Sequence, residues 1–248
     1  MRTMYIIWLR QLKRYFRSKS RMIGSLGFPI LILLALGYGL GPVYQKAGGG
    51  NYIDFLAPGI VAMAILFMAM FSGIEVIYDR QFGFLKETLV APVSRLKIML
   101  GRTLGGATTA LFQGILIFII AVLVGFRPAH WAGIPLALVF MIIIGILFTA
   151  IGTAIASRME DMQAFPIIMN FVMMPLFFLS GAIFPLEGLS PVMKVITEIN
   201  PLTYGVDALR QALTGAVHFG LATDFIVLGA FTVVFLVFGA YMFSKIEI

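Results

Sequence analysis

The sequence contains no cysteine and few charged residues, and both absences narrow what the protein can be. Without thiols, the chain cannot form disulfides, thiolate zinc sites, iron–sulfur clusters or a cysteine nucleophile. Only 12% of its 248 residues are charged, against about 25% in soluble domains, whereas 60% are hydrophobic. A soluble fold of this length could not bury that much apolar surface, so the composition excludes an ordinary soluble enzyme.

Catalytic and nucleotide-binding motifs are missing as well. The glycine-rich Walker A pattern that cradles phosphates does not occur, and neither do the H-E-x-x-H and G-x-S-x-G patterns of metalloproteases and hydrolases. The two histidines, His130 and His218, are far apart in the sequence, and we expect neither to bind a metal. We therefore predict no catalytic, metal-binding or cofactor-binding site in this chain.

Long apolar runs dominate what is present. A bilayer core about 30 Å thick needs about 20 apolar residues for each helix that crosses it. The runs without Asp, Glu, Lys or Arg that reach this length are 22–45, 55–74, 103–126, 131–157, 162–186 and 225–244. The segments between them are too short for an independent domain, which needs about 50 residues. The sequence predicts an all-α polytopic membrane protein with six transmembrane helices in a single domain, 1–248.

The basic residues are distributed unevenly between the two sides of these spans. Fourteen of the 18 lysines and arginines lie in the segments on the side of the two chain ends. Because Lys and Arg are retained in the cytoplasm, we predict that both termini are cytoplasmic and that the protein is integral to the plasma or inner membrane. The net charge of +7 then follows from topology, and it suits contact with anionic membrane lipid better than nucleic acid.

Segment 1–21 has the pattern of an amphipathic helix at the inner membrane interface. Its apolar face carries Tyr5, Trp8, Leu9, Leu12 and Phe16, and its basic face carries Arg10, Lys13, Arg14, Arg17 and Arg21. Such a helix can act only as a lipid-anchored topology determinant, or it can also frame a gate or contact a partner. Both interpretations stay open.

The expected cytoplasmic loop 75–102 contains a second short helical pattern. Phe82, Leu85 and Leu89 share one helical face, and Pro92 ends the helix before the chain re-enters the membrane. A short helix with an apolar knob suits docking into a groove on a soluble protein. It equally suits a helix that lies on lipid.

The expected outer segment 187–224 contains two short, half-apolar helices joined by a break at Asn200-Pro201. Because neither helix is long enough to cross, we predict a re-entrant hairpin that caps the outer mouth. A plain external loop is the alternative. Asp207 and Arg210 are three residues apart, so we expect them to form a local pair at the outer rim.

The fifth predicted span carries two prolines, Pro166 and Pro175, which we expect to kink it. Aromatic and methionine side chains repeat along it at intervals of four residues. These side chains are Phe165, Met169, Met173 and Phe177. They are a candidate lining for the path of an apolar substrate, with ordinary helix packing as the alternative.

The inner and outer segments together carry a family resemblance that covers nearly the whole chain. The sequence 83–95 resembles the coupling-helix region of ABC-2-type exporter permeases, although Lys86 stands where many members carry an acidic residue. Phe184-Pro185 and the Asn-Pro-Leu-Thr-Tyr run with Asp207 and Arg210 resemble their outer re-entrant signature. The resemblance implies ATPase-coupling roles for Phe82, Gly83, Leu85, Lys86, Glu87, Leu89, Pro92 and Arg95. It implies outer-gate roles for Phe184, Pro185, Asn200, Pro201, Tyr204, Asp207 and Arg210.

The same resemblance implies a homodimer of permease subunits above two separate ATPase subunits, which hold ATP and Mg²⁺. The predicted function is export of a hydrophobic or amphipathic compound, such as a drug, a lipid or a lipid-linked glycan. The alternatives are an ion-coupled secondary transporter and a non-transporting scaffold subunit. Glu75, Asp79, Glu160 and Asp161 lie at the inner ends of the spans and none lies within a run, which argues against internal ion coupling.

Overall fold

The computed structural model describes residues 2–48, 50–85 and 93–245, and every regular element within these ranges is helical. The predicted all-α class is therefore confirmed for the described part of the chain. In chain order the helices are α1 (Arg2–Arg17), α2 (Lys19–Lys46), α3 (Tyr52–Phe71), α4 (Ile74–Gln81), α5 (Arg95–Val124), α6 (Ile134–Ala156), α7 (Ala164–Phe178), α8 (Pro191–Ile199), α9 (Pro201–Thr214) and α10 (Leu221–Ser244). A single 3₁₀ turn, Trp131–Gly133, precedes α6.

Within the described residues, five helical stretches are long and apolar enough to cross a membrane. They are Met22–Lys46, Tyr52–Gln81, Arg95–Val124, Trp131–Ala156 and Leu221–Ser244. The remaining predicted span, 162–186, is helical only in α7, which has 15 residues and is about 22 Å long at 1.5 Å per residue. The predicted count of six transmembrane helices is therefore not confirmed, since α7 is shorter than a bilayer core.

The central helix of the bundle is α3. Sixteen of its 20 residues are buried, and it packs against α2, α5, α6, α7 and α9. A helix that is apolar on all sides fits such a position because it has no polar face to present to water. In contrast, α2 and α10 leave most of their apolar side chains uncovered, as expected for helices that face lipid.

Glycines allow the backbones of α3 and α6 to approach each other closely near α4. A Cβ atom added to Gly73, between α3 and α4, would lie 2.4 Å from the carbonyl oxygen of Gly152 in α6. A Cβ atom on Gly152 would lie 2.4 Å from the carbonyl oxygen of Met70. These two backbones therefore touch directly, which fixes the position of α4 at the end of the bundle.

The predicted amphipathic helix is present but ends earlier than expected. α1 ends at Arg17, and residues 19–21 already belong to α2. One side of α1 packs along α5, where the Trp8 indole donates a hydrogen bond of 3.0 Å to the Thr108 hydroxyl. The segment is thus part of the helical bundle, and its predicted contact with lipid is left to the side that α5 does not cover.

Candidate functional site

A cavity of about 650 Å³ opens among α2, α3, α4, α5 and α7. Its walls are mostly apolar and include Phe28, Phe67 and Phe71, while Ser25 and Asn170 are among its few polar groups. Cavities of 300–1,000 Å³ with this character are typical of sites for small organic molecules. The geometry is suited to a compound with an apolar body and a small number of polar groups.

Gln113 of α5 is a further polar group in the lining of this cavity. Its Oε1 lies 3.1 Å from the Tyr15 hydroxyl of α1 and 3.2 Å from the Ser25 hydroxyl of α2. Its Nε2 is buried and has no hydrogen-bond partner among the described residues. The side chain therefore ties three helices together at the cavity wall and retains hydrogen-bonding capacity.

The predicted stripe on α7 lies beside this cavity and does not line it. Phe165, Met169, Met173 and Phe177 are fully buried, and the Phe165 ring packs edge-on against Phe71 of α3. Asn170 and Met174 of α7 line the cavity. In this structure the stripe packs between helices, and its role in a substrate path stays a prediction.

An inner charge cluster, formed by Arg10, Arg14, Glu75, Asp79 and Arg102, joins α1, α4 and α5. Asp79 is 2% exposed and accepts hydrogen bonds from Arg10 and Arg102. Arg14 lies 3.6 Å from carboxylate oxygens of both Glu75 and Asp79. Because a buried carboxylate needs charged partners, this cluster fixes α1 against α4. Helix α4 leads into the predicted coupling segment, residues 82–95.

Sequence reasoning missed this cluster, although a signal was present. Arg10 and Arg14 are four residues apart on α1, and Glu75 and Asp79 have the same spacing on α4. Each pair therefore forms a row of one charge sign on one helix face. Matching the two rows predicts the contact between the helices.

Of the predicted coupling residues 82–95, the structure describes 82–85 and 93–95. Phe82 is 67% exposed, whereas Leu85 is 2% exposed and belongs to the core, so these two side chains do not share an exposed surface. The docking of Phe82, Leu85 and Leu89 on an ATPase stays a prediction. Gly83 has φ of +80°, which favours glycine where the chain leaves α4. Arg95 begins α5 and donates a hydrogen bond to the Ser244 carbonyl. Lys86, Glu87, Leu89 and Pro92 lie outside the described residues.

The two helices of the outer hairpin differ sharply in burial. Twelve of the 14 residues of α9 are buried, and α9 packs between α3, α6 and α10. On α8, by contrast, Val192, Val195 and Ile199 are all more than half exposed. The interpretation of this whole segment as a plain external loop is therefore wrong for α9, which the bundle encloses.

The break in the hairpin is held by side-chain hydrogen bonds. The Asn200 Oδ1 accepts from the Leu202 N–H at 3.0 Å and caps α9, and Pro201 occupies the first turn. The Asn200 Nδ2 donates to the Leu176 carbonyl of α7 at 2.7 Å. The Tyr204 hydroxyl donates to the Glu198 carbonyl at 2.8 Å, so the hairpin is fixed to itself and to α7.

The prediction that Asp207 and Arg210 bond to each other is wrong. Both residues are buried, and each bonds to a different part of the chain. Asp207 accepts hydrogen bonds from the N–H groups of His218 at 3.1 Å and Phe219 at 2.7 Å. It therefore holds the connection between α9 and α10.

Arg210 contacts Gly181, which follows α7, and Phe55 of α3. It donates to the Gly181 carbonyl at 3.0 Å, and its guanidinium lies 4.0 Å from the centroid of the Phe55 ring. Burial lowers the pKa of Arg210 to about 10, against the opposing effect of Asp207, so the side chain stays cationic at neutral pH. Phe184 is half-buried and Pro185 exposed in the adjoining segment.

A bundle of long apolar helices with an apolar cavity is typical of an integral membrane protein. Residues 2–214 match the family model described as ABC-2 type transporter. The chain belongs to that family, and it is the transmembrane permease component, not the ATPase.

Known relatives agree with this assignment. The chain is 27% identical over 230 residues to Nodulation protein J of Rhizobium leguminosarum bv. viciae, across 89% of this chain and 88% of that protein. It is also 27% identical over 232 residues to Inner membrane transport permease YadH of Escherichia coli (strain K12), across 92% of this chain and 90% of that one. Both similarities extend over almost the full length of each chain.

Proposed function

We propose that this permease is the membrane-spanning part of an ATP-driven exporter for a hydrophobic or amphipathic compound. The observation that carries the proposal is the cavity of about 650 Å³ with its apolar walls and few polar groups. A drug, a lipid or a lipid-linked glycan taken from the cytoplasm or the inner leaflet would suit it. The similarity to the inner membrane transport permease YadH supports the transport role.

The energy source in this proposal is a separate ATPase, because the sequence contains no phosphate-cradling loop. Two ATPase subunits would hold ATP and Mg²⁺ below a homodimer of this chain, with both termini in the cytoplasm. The coupling segment that begins at the exposed Phe82 would contact the ATPase. Membership of the ABC-2 family supports this arrangement.

The inner charge cluster would transmit movement from the ATPase to the helices. Since Asp79 of α4 is bonded to α1 and α5, a displacement of the coupling segment would move these helices together. The cavity would then alternate between the two sides of the membrane. The outer hairpin, with Asn200 and Arg210 as its fixed points, would serve as the external gate.

The test is reconstitution of the permease with its candidate ATPase in vesicles loaded with ATP. We expect ATP-dependent movement of a fluorescent amphiphile, and no movement with an ATPase whose Walker A lysine is replaced. Phe67→Arg places a charge in the cavity and should abolish transport while leaving the assembled complex intact. Transport driven by an ion gradient without ATP would overturn the proposal in favour of a secondary transporter.

A further inference from the structure

A groove of about 820 Å³ runs along α1, close to the inner charge cluster. Four basic side chains of α1 line it, and Phe84 of the coupling segment forms another part of its wall. The basic side chains are Arg10, Lys13, Arg14 and Arg17. The Arg10 guanidinium lies 5.6 Å from the centroid of the Phe84 ring, so the two walls of the groove are in contact.

The charges in the groove are only partly neutralised. Arg10 and Arg14 are engaged with Asp79 and Glu75, as described above. Lys13 and Arg17 are exposed and form no ion pair within the part of the chain that the structure describes. The groove therefore carries two engaged arginines and two cations available to an incoming anion.

The remaining lining gives the groove a second character. Ile6 and Leu9 contribute apolar surface beside the cations, and Ile6 is itself 55% exposed. A ligand that satisfies both surfaces has an anionic head and an apolar tail. Phosphate oxygens suit arginine and lysine donors, and acyl chains suit the apolar flank of an interfacial helix.

We propose that this groove is a binding site for the phosphate headgroup of an anionic membrane lipid. Lys13 and Arg17 contact the phosphate, and Arg10 and Arg14 are shared between the lipid and the acidic residues of α4. Because the same arginines bind Asp79, occupancy of the groove links lipid composition to the position of α1 against the coupling segment. The site depends on the geometry of α1 and Phe84 and stands whether or not the protein is an exporter.

The test compares lipid binding to the purified permease in neutral detergent by native mass spectrometry. Phosphatidylglycerol and phosphatidylcholine are titrated against the original chain and a Lys13→Gln/Arg17→Gln variant. A Lys97→Gln/Arg158→Gln variant is the matched control, since it removes two exposed basic residues elsewhere in the chain. Inorganic phosphate is added in a separate arm as a competitor.

We expect the groove variant to bind phosphatidylglycerol at least tenfold more weakly, with phosphatidylcholine binding unchanged and the control within twofold of the original. The loss should shrink at high salt, which screens exposed charges. Competition by millimolar phosphate would show that the site reads the free anion as well, and no competition would show that it requires the lipid. Equal phosphatidylglycerol binding by the groove variant and the original chain, or an equal loss in the control, would overturn the proposal.

Discussion

The inner and outer ends of the bundle are held together by different kinds of contact. At the inner end, half-exposed arginines of α1 reach the carboxylates of Glu75 and Asp79 across helix boundaries. At the outer end, Asn200, Asp207 and Arg210 bond mainly to backbone groups inside a buried hairpin. Charge pairs near the surface respond to salt and to competing ions, whereas buried directional bonds must break together.

The two kinds of contact suit different roles for the two ends in the proposed transport cycle. In the proposed lipid site, the inner end would exchange partners, because the arginines that bind Asp79 would also bind a phosphate. At the outer end Arg210 and Asn200 are buried and donate to the carbonyls of Gly181 and Leu176. In the proposed transport cycle, the inner end would adjust and the outer hairpin would open only when the helices around it move.

The largest expected effect comes from breaking the inner charge cluster. Asp79→Asn leaves the buried Arg102 and the neighbouring Arg10 without their carboxylate, and we expect a loss of about 3–5 kcal/mol in the free energy of unfolding. Thermal unfolding in detergent measures it. Glu160→Gln is the control, since its pair with Arg80 is exposed and worth at most about 1 kcal/mol. Equal stability of the two variants would contradict a supporting role for the cluster.

At the outer end, Arg210→Met should remove the hydrogen bond to Gly181 and the contact with the Phe55 ring. We expect a loss of about 2–3 kcal/mol, because a buried carbonyl is left without its charged donor. The same unfolding measurement applies. Lys194→Met, which alters an exposed i,i+4 pair with Glu198, should change stability by less than about 0.5 kcal/mol. A loss in the Arg210 variant no larger than that would show that its buried bonds are unimportant.

A smaller loss of stability is expected at the helix caps. Asn51 caps only α3, whereas Asn200 caps α9 and also bonds to α7. Asn51→Ala removes only the N-cap of α3, at a cost of about 1 kcal/mol. Asn200→Ala removes the N-cap of α9 and the bond to Leu176, so we expect about 1 kcal/mol more. The pair is compared by denaturant unfolding, and equal losses would show that the bond to α7 contributes nothing.

The smallest perturbation is cysteine substitution in this cysteine-free chain, read out with a membrane-impermeant thiol reagent. Leu202→Cys should not react, because Leu202 is buried in α9, whereas Glu187→Cys and His218→Cys should react rapidly. Val195→Cys should react at least tenfold more slowly than His218→Cys, since the apolar face of α8 requires cover by lipid. Equal rates at positions 195 and 218 would place α8 in water.

Apolar length was enough to locate most of the transmembrane helices. A helix that crosses a bilayer needs about 20 apolar residues whatever surrounds it, so the requirement is local and visible in the sequence. The stretch 162–186 meets that requirement, yet it contains Pro175 and Gly181, and its helix ends at Phe178. A run without charges marks where a helix can continue, and proline and glycine influence where it stops.

The family resemblance was visible in the sequence. The break before α9 was visible as well, because Asn200-Pro201 forms its cap from neighbouring residues alone. The partners of Asp79, Asp207 and Arg210 were not visible, since spacing along one helix shows only which side chains share a face. The choice of partner depends on which other elements reach that face. Here α9 is enclosed by α3, α6 and α10, so its charged side chains turn to the backbone of distant segments and not to each other.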